Sequence, residues 1–166
     1  LLVLAPRHPE RFDQVARLTV RSGLNMARRS QQYGPIPDSV SVQIADTMGE
    51  LAMLYAAADI AIVGGSLIRI KGIGGHNILE PCAVGVPVIF GPYMRNFSEI
   101  SQLALARQAG FQINGPETLK AQVCTLLLDA DLRAITGENG MRMVSENTGA
   151  TDCTLKLILP YLNQRN

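Results

Sequence analysis

The chain has 166 residues, 47% of them hydrophobic and 17% charged, and a formal net charge of +1. This balance suits one folded domain spanning residues 1–166 and argues against nucleic acid as a partner. Cys82, Cys124 and Cys153 are scattered and form no CxxC pair, which argues against a disulfide framework or a metal site.

The first half of the chain alternates predicted strands with predicted helices. Apolar runs predict strands, and core-spaced apolar residues predict helices. Gly23 is expected to end the first helix. The predicted elements are a buried strand Leu1–Ala5, a helix over 11–22, a short strand Leu24–Arg28, a strand Val40–Ala45 and a helix Glu50–Ala57.

The second half continues the alternation and then becomes helical. The predicted elements are a strand Asp59–Val63, a helix Asn77–Val84, a strand Val86–Phe90, a helix Phe97–Ala109 stopped by Gly110, a short strand Phe111–Asn114, and helices Glu117–Ala130, Asp131–Asn147 and Thr151–Leu162. Continuously apolar inner strands indicate a parallel sheet buried on both faces. The fold class is therefore α/β, a Rossmann-like parallel sheet with helices on both faces and a helical C-terminal tail.

Ligands of such sheets bind beyond the carboxyl ends of the strands. The segments that follow strands here are 6–8, 46–49, 64–77 and 91–92. We expect these segments to converge at one edge of the sheet, and this edge is the predicted ligand site.

The first of these loops contains Arg7, which lies between Pro6 and Pro9. The prolines are expected to stiffen the loop, so that the guanidinium can neutralise a phosphate leaving group. A surface arginine without a ligand is the alternative.

The second loop, Thr47-Met48-Gly49, would present backbone groups and a flexible thioether to the edge and face of a nucleotide base. The alternative is a capping turn in which Thr47 or Asp46 is the N-cap of the next helix. Both roles are compatible, because capping orders the loop.

The third loop is rich in glycine and ends at Asn77, a favourable N-cap residue. The backbone amides of Asn77, Ile78 and Leu79 would then form an anion site at the start of the helix. Glu80 is predicted to accept hydrogen bonds from a ribose diol, although it also has the spacing of a capping-box partner for Asn77.

Four further features are candidate contacts, and all except His76 have two interpretations. Ser66 would bind a sugar or phosphate, or it would close a turn. His76 is a possible donor-sugar contact. Arg28 with Arg29, and Arg69 with Lys71, are either solvated loop charges or contacts to an anionic substrate or lipid headgroup.

The order of these motifs resembles the C-terminal, donor-binding domain of the 3-deoxy-D-manno-octulosonic acid (Kdo) transferases of lipopolysaccharide synthesis. The resemblance spans about residues 5–97. Its matching runs are APRHPERF at 5–12, DTMGEL at 46–51, GGS at 64–66, GGHNILEP at 74–81 and PVIFGP at 87–92, with Asn96 and Phe97.

The resemblance implies the GT-B glycosyltransferase fold and an inverting, metal-independent transfer of Kdo from CMP-Kdo to a lipid A precursor (lipid IVA), with no cofactor. It implies that CMP is bound by three groups of residues: Pro6 and Arg7; Thr47, Met48 and Gly49; and Asn77, Ile78, Leu79 and Glu80.

The family's general base is a glutamate of an N-terminal domain that this chain lacks, so the resemblance implies no catalytic residue here. The chain alone is expected to be soluble and to bind CMP without transferring Kdo. The full protein is expected at the cytoplasmic face of the bacterial inner membrane, attached mainly through its missing half.

One segment departs from the family pattern, since Leu67–Ile73 makes the spacer between Ser66 and Gly74 longer than expected. Two other functions stay open. The chain would instead be the C-terminal domain of a GT-B enzyme that uses a UDP-sugar, or a non-catalytic nucleotide-binding module.

Overall fold

The computed structural model describes residues 1–162, without the side chains of 150–153 and 162. The chain divides into two compact units, a first unit of Leu1–Leu51 and a second unit from Ala52 onward. Each unit contains one parallel three-stranded sheet.

The first unit is a small sheet with one long helix. Its strands are β1 (Leu2–Leu4), β2 (Met26–Arg28) and β3 (Val42–Ile44), and its helix is α1 (Phe12–Arg21). The order is β1-β3-β2, and the register places Leu4 and Arg28 on either side of Ile44. Because the strands are parallel, the chain leaves all three at the same edge of this sheet.

The first predicted strand is present, but the expectation that it is buried is wrong. Leu1 is 71% exposed, and Leu2 and Val3 are exposed as well. The physical reason is position, since β1 is a sheet edge that pairs with β3 alone. The core of this unit instead consists of Ala16, Val42 and Ile44.

The second unit contains the remaining strands and most of the helices. Its strands are β4 (Ala61–Val63), β5 (Val88–Phe90) and β6 (Gly110–Gln112), in the order β4-β5-β6. The helices are α2 (Leu51–Ala56), which begins at the unit boundary, α3 (Leu79–Ala83), α4 (Ser98–Ala106), α5 (Pro116–Leu128), α6 (Ala130–Glu146) and α7 (Ala150–Leu162).

The central strand β5 is covered on both faces. Val88 and Phe90 belong to one buried cluster, and Ile89 belongs to another that includes Leu126 of α5. Successive strand residues point to opposite faces, so each face of this sheet has its own core. The predicted α/β class, the parallel pairing and the helical C-terminal tail are confirmed.

The prediction that Gly110 stops a helix is wrong. The helix α4 ends at Ala106, and the left-handed residue after it is Gln108, with φ of 53°. Gly110 begins β6, where a Cβ would lie 2.6 Å from Val88 Cγ1. The glycine is therefore explained by close strand packing rather than by helix termination.

Two glycines let α6 approach the segment around α3. A Cβ at Gly137 would lie 2.0 Å from the carbonyl oxygen of Gly85, and one at Gly140 would lie 3.2 Å from Cys82 Cα. Asp129 caps α6 by accepting a hydrogen bond from the Leu132 amide at 2.8 Å. The helix α6 is thus fixed to the second unit by backbone proximity as well as by apolar packing.

Candidate functional site

The loop after β1 contains Arg7, whose side chain is exposed. The loop closes into a short 3-10 turn, Pro9–Arg11, in which the Arg11 amide donates to the carbonyl of His8 at 2.9 Å. The turn and Pro9 restrict the backbone directly after Arg7. Arg7 therefore lies in an ordered loop at the carboxyl edge of the first sheet.

The loop after β3 begins with a buried, hydrogen-bonded carboxylate. Asp46 accepts a hydrogen bond from the Ser30 amide at 2.8 Å and another from the Ser30 hydroxyl at 2.7 Å. Arg28 lies beside it, with Nη1 at 3.6 Å from Asp46 Oδ2. Burial alone would raise the pKa of Asp46, but the Ser30 bonds and the Arg28 charge outweigh it and lower that pKa from 3.8.

The same loop ends at a second carboxylate, Glu50. The hydroxyl of Thr47 donates to Glu50 Oε2, and Arg29 Nη2 donates to Glu50 Oε1 at 3.1 Å. The helix α2 begins at Leu51, so neither Asp46 nor Thr47 directly precedes it, which corrects the expectation that one of them is its N-cap. Between Thr47 and Glu50, Met48 is 69% exposed, and Gly49 turns the backbone with a φ of +83°.

Sequence reasoning missed the roles of Arg28, Arg29 and Ser30. Arg28 is half-buried and pairs with Asp13 as well as with Asp46, and Arg29 pairs with Glu50, so both arginines form ion pairs within the first unit. The hydrogen bond that Arg28 donates to Asp13 lowers the pKa of the Asp13 carboxyl. No local sequence signal points to these contacts, because they follow from the pairing of β2 with β3, in which Arg28 pairs with Ile44 and Ser30 lies opposite Asp46.

In the second unit, the predicted anion site is changed by the side chain of Asn77. Its Oδ1 accepts a hydrogen bond from the Leu79 amide at 3.0 Å, so this amide already has a partner within the turn. The helix that follows begins at Leu79 and has only five residues, so its dipole is weaker than that of the predicted longer helix. Ile78 is fully buried, so its amide is closed to solvent as well, and the Asn77 amide is the one of the three that remains for an anion.

Glu80 is exposed, and its Oε1 accepts a hydrogen bond from Asn77 Nδ2 at 3.2 Å. This contact joins the two side chains rather than forming a full capping box, in which Glu80 would accept from the Asn77 backbone. Tyr55 lies close by: burial raises the pKa of its phenol, and the Glu80 charge raises it further. The sequence analysis did not predict this proximity.

Ser66 is fully buried, and the structure supports its turn-closing role. Its hydroxyl donates to the Val63 carbonyl and accepts from the Gly91 amide, both at 2.9 Å. A Cβ at Gly91 would lie 2.1 Å from the Ser66 carbonyl oxygen. Ser66 thus joins the loops after β4 and β5, and a sugar contact through its hydroxyl would require breaking these bonds.

Most glycines of the loop after β4 accommodate the protein's own side chains. A Cβ at Gly65 would meet the His76 ring at 2.7 Å, one at Gly74 would meet Asn96 at 2.7 Å, and one at Gly75 would meet Met94 at 2.5 Å. Gly64 alone among the site's double-glycine positions has no atom within 4 Å of its virtual Cβ. The backbone at Gly64 is open to a ligand, whereas Gly65, Gly74 and Gly75 serve packing.

The longer spacer Leu67–Ile73 is anchored at its start and exposed along most of its length. Leu67 packs against the cluster around Ile89, whereas Arg69 and Lys71 are exposed. This placement agrees with the interpretation of these two residues as solvated loop charges.

The residues that the structure describes contain no cluster of three or more His, Cys, Asp or Glu side chains with metal-binding geometry. Within residues 1–162, none of the helices has both the length and the apolar character needed to cross a membrane.

The structure thus groups the predicted residues within each unit. The first unit holds Pro6, Arg7 and the loop 47–49 after strands of one parallel sheet, and the second holds Asn77, Ile78, Leu79 and Glu80 with His76 packed on Gly65. That both groups contact one ligand stays a prediction.

Relatives of known name match nearly the whole chain, although no family model matches it. A 3-deoxy-D-manno-octulosonic acid transferase of Bordetella pertussis is 38% identical over 98% of the chain, and one of Haemophilus influenzae is 40% identical over 99%. The chain spans only 37% and 38% of the lengths of these two proteins.

A solved structure matches the fold. The C-terminal CMP-Kdo binding domain of WaaA from Acinetobacter baumannii superposes with a TM-score of 0.79 and 32% identity. The match covers 86% of this chain and 72% of that domain. The chain therefore belongs to the 3-deoxy-D-manno-octulosonic acid transferase family and corresponds to its C-terminal domain.

Proposed function

We propose that this chain binds the nucleotide of CMP-Kdo, as the donor-binding domain of an enzyme that transfers Kdo to a lipid A precursor. The observation that carries the proposal is the match over 86% of the chain to a CMP-Kdo binding domain. The loop segments 6–7 and 47–49 and the turn into α3 at 77–80 support it, because each offers a group suited to one part of CMP.

Each loop has a distinct role in this proposal. The guanidinium of Arg7 neutralises the phosphate, and the backbone amide of Asn77 donates to it. The loop Thr47-Met48-Gly49 contacts the cytosine through backbone groups and the exposed thioether of Met48. Glu80 accepts hydrogen bonds from the ribose hydroxyls, and its exposure keeps it accessible to them.

The chemistry assigned to this domain is stabilisation of the leaving group. Breaking the bond between Kdo and phosphate leaves negative charge on CMP and positive character on the anomeric carbon of the sugar. The Asn77 amide and one arginine stabilise the departing phosphate without a metal or another cofactor. The acceptor hydroxyl attacks the anomeric carbon from the opposite side, which inverts its configuration.

The remaining functions belong to the enzyme's own N-terminal domain. That domain supplies the general base and most of the acceptor surface, and it attaches the enzyme to the cytoplasmic face of the inner membrane. The chain alone therefore binds CMP weakly and transfers no Kdo. Measurable Kdo transfer by the isolated chain contradicts this division.

Titration of the chain with CMP and with UMP tests the proposal. We expect saturable binding of CMP with clear preference over UMP, because the base is read by the loop 47–49. A preference for UMP supports a UDP-sugar enzyme instead, and no binding of either nucleotide contradicts a donor-binding function.

The role of Glu80 has its own test, a comparison of CMP with 2′-deoxy-CMP. The wild-type chain should prefer CMP, and Glu80→Ala should remove most of that preference because the diol loses its acceptor. Glu117→Ala is the matched control, since Glu117 is also an acidic residue in the first turn of a helix. An unchanged CMP preference in Glu80→Ala contradicts the ribose contact.

A further inference from the structure

Two arginines of the first unit remain outside the proposed ligand contacts, yet they are tied to the loop that carries the base contact. Arg28, Arg29 and Ser30 are consecutive residues at the end of β2 and the turn after it. We call these three residues the clamp.

The clamp holds the loop Thr47-Met48-Gly49 at both of its ends. On the first side, Ser30 donates from its amide and its hydroxyl to the two oxygens of Asp46, which directly precedes the loop. On the other side, Arg29 donates to Glu50, which directly follows the loop. Residues 46 and 50 are thus fixed to neighbouring residues of one short segment.

The clamp is also connected to a residue of the loop, Thr47, through the Glu50 carboxylate. The Glu50 carboxylate uses one oxygen for Arg29 and the other for the Thr47 hydroxyl, so this carboxylate is shared by the clamp and the loop. Arg28 adds its charge beside Asp46 and is itself held by Asp13. Bonds between charged partners are shorter and stronger than neutral ones, and several of them restrict a loop more than one does.

The loop itself has little apolar packing to hold it. Met48 and Gly49 are exposed, and the left-handed φ of Gly49 gives the backbone a turn that glycine adopts without strain but does not enforce. The clamp is therefore the part of the first unit that fixes the conformation of these two residues.

We propose that Arg29 and Glu50, with Ser30 and Asp46, are positioning residues that preorganise the Thr47–Gly49 loop for a pyrimidine base. The base is contacted by the loop, and the clamp acts only through it. The idea rests on the proposed nucleotide-binding function and adds a specificity determinant to it, because a loop without a fixed conformation reads a base poorly.

The test compares two ligands, CMP and ribose 5-phosphate, which share the sugar phosphate and differ in the base. Glu50→Ala and Arg29→Ala should each weaken CMP binding about tenfold, which corresponds to the loss of one charge-assisted hydrogen bond. Both variants should bind ribose 5-phosphate within about twofold of the wild-type chain, because the phosphate and ribose contacts are separate from the loop. Arg29→Lys should restore part of the CMP affinity by keeping the charge.

The control is an exposed ion pair of the second unit, Arg107 with Glu146, whose Nη1 and Oε2 atoms lie 2.8 Å apart. Arg107→Ala and Glu146→Ala should leave both affinities unchanged. Equal losses for CMP and ribose 5-phosphate, or no loss for CMP, overturn the positioning role.

A ligand-free measurement keeps the two proposals separate. Backbone order parameters of Met48 and Gly49, from ¹⁵N relaxation, should fall in Arg29→Ala, while those of α1 stay unchanged. Unchanged order parameters of both loop residues overturn the clamp whether or not the chain binds CMP. A wild-type chain that binds neither ligand overturns the proposed function, and the relaxation result then still decides the clamp.

Discussion

The first and the second unit are each stabilised internally by a different kind of interaction. The first unit has a small core of Ala16, Val42 and Ile44, an exposed edge strand, and a set of ion pairs and charged hydrogen bonds at the ends of its strands. The second unit has two apolar clusters on opposite faces of β5, and glycines where segments approach closely.

Because of this difference, the loops that follow the strands are shaped by different interactions in the two sheets. In the second unit, apolar packing and backbone proximity shape the loops after β4 and β5, as the bonds between Ser66 and Gly91 illustrate. In the first unit, charged side chains shape the loop after β3. Substitutions of apolar or glycine residues should therefore damage the second unit most, whereas changes of charge or pH should act on the first.

The largest expected effect is the removal of the central side chain of the second unit. Phe90 is fully buried, and Phe90→Ala should lower the free energy of unfolding by about 4 kcal/mol, because it leaves a cavity as well as lost apolar burial. Urea titration measures the change. Tyr33→Ala is the control, since Tyr33 is 97% exposed, and a loss at Tyr33 as large as that at Phe90 would contradict the assigned core.

Replacing Gly137 of α6 by alanine should lower the free energy of unfolding, although this replacement usually raises it inside a helix. Alanine normally stabilises a helix interior by about 1 kcal/mol relative to glycine. At Gly137 the new Cβ would lie 2.0 Å from the Gly85 carbonyl oxygen, so Gly137→Ala should destabilise by about 3 kcal/mol.

Gly34→Ala is the matched control, because nothing lies within 4 Å of its virtual Cβ. Thermal or urea unfolding measures both variants. A Gly137→Ala chain as stable as the wild type would show that α6 is not held against the Gly85 backbone.

In the first unit the corresponding experiment is a change of charge. Asp46→Asn should lower the free energy of unfolding at pH 7 by about 2 kcal/mol, the scale of a lost charge-assisted hydrogen bond. Because the pKa of Asp46 is lowered from 3.8 in the folded chain, its stabilisation is present above that ordinary value and is lost as the pH falls further.

The stability difference between wild type and Asp46→Asn should therefore shrink when the pH is lowered from 7 to 3. Urea titrations at both pH values measure it, and Asp38→Asn serves as the exposed control. A difference that grows toward pH 3 would contradict the role assigned to Asp46.

The smallest expected effect is a difference in reactivity between two cysteines of the second unit, which tests their burial without altering the stability of the chain. Cys82 is buried and Cys124 is exposed. Burial raises the pKa of the Cys82 thiol to about 11, so at pH 8 it stays protonated as well as inaccessible. Iodoacetamide should modify Cys124 far faster than Cys82, as peptide mass spectrometry would show, and equal rates would place Cys82 at the surface.

Much of the fold was predictable from the sequence, because strand-forming apolar runs alternate with helical patterns along the chain. The pattern failed where one residue type serves two purposes. Leu1–Ala5 has the composition of a buried strand but lies at a sheet edge, and Gly110 has the position of a helix stop but provides room for Val88. Only three-dimensional neighbours distinguish these cases.

The sequence predicted which loops form the candidate site, but it did not predict most of the hydrogen bonds and ion pairs that those loops make. The motif positions 47–49 and 77–80 do follow strands of parallel sheets, and Ser66 matched its turn-closing alternative. The partners of Asp46 and Glu50 were missed because they depend on which strands are neighbours. The order β1-β3-β2 places the end of β2 beside the end of β3, and local sequence does not specify that order.

A residue-resolved NMR titration of the chain with CMP tests the central claim most directly. We predict saturable shifts at Arg7, at Thr47, Met48 and Gly49, and at Asn77 and Glu80, with the same dissociation constant from every signal. Shifts confined to the helical tail 116–162, with the loop residues unchanged, would contradict a donor-binding function for this chain.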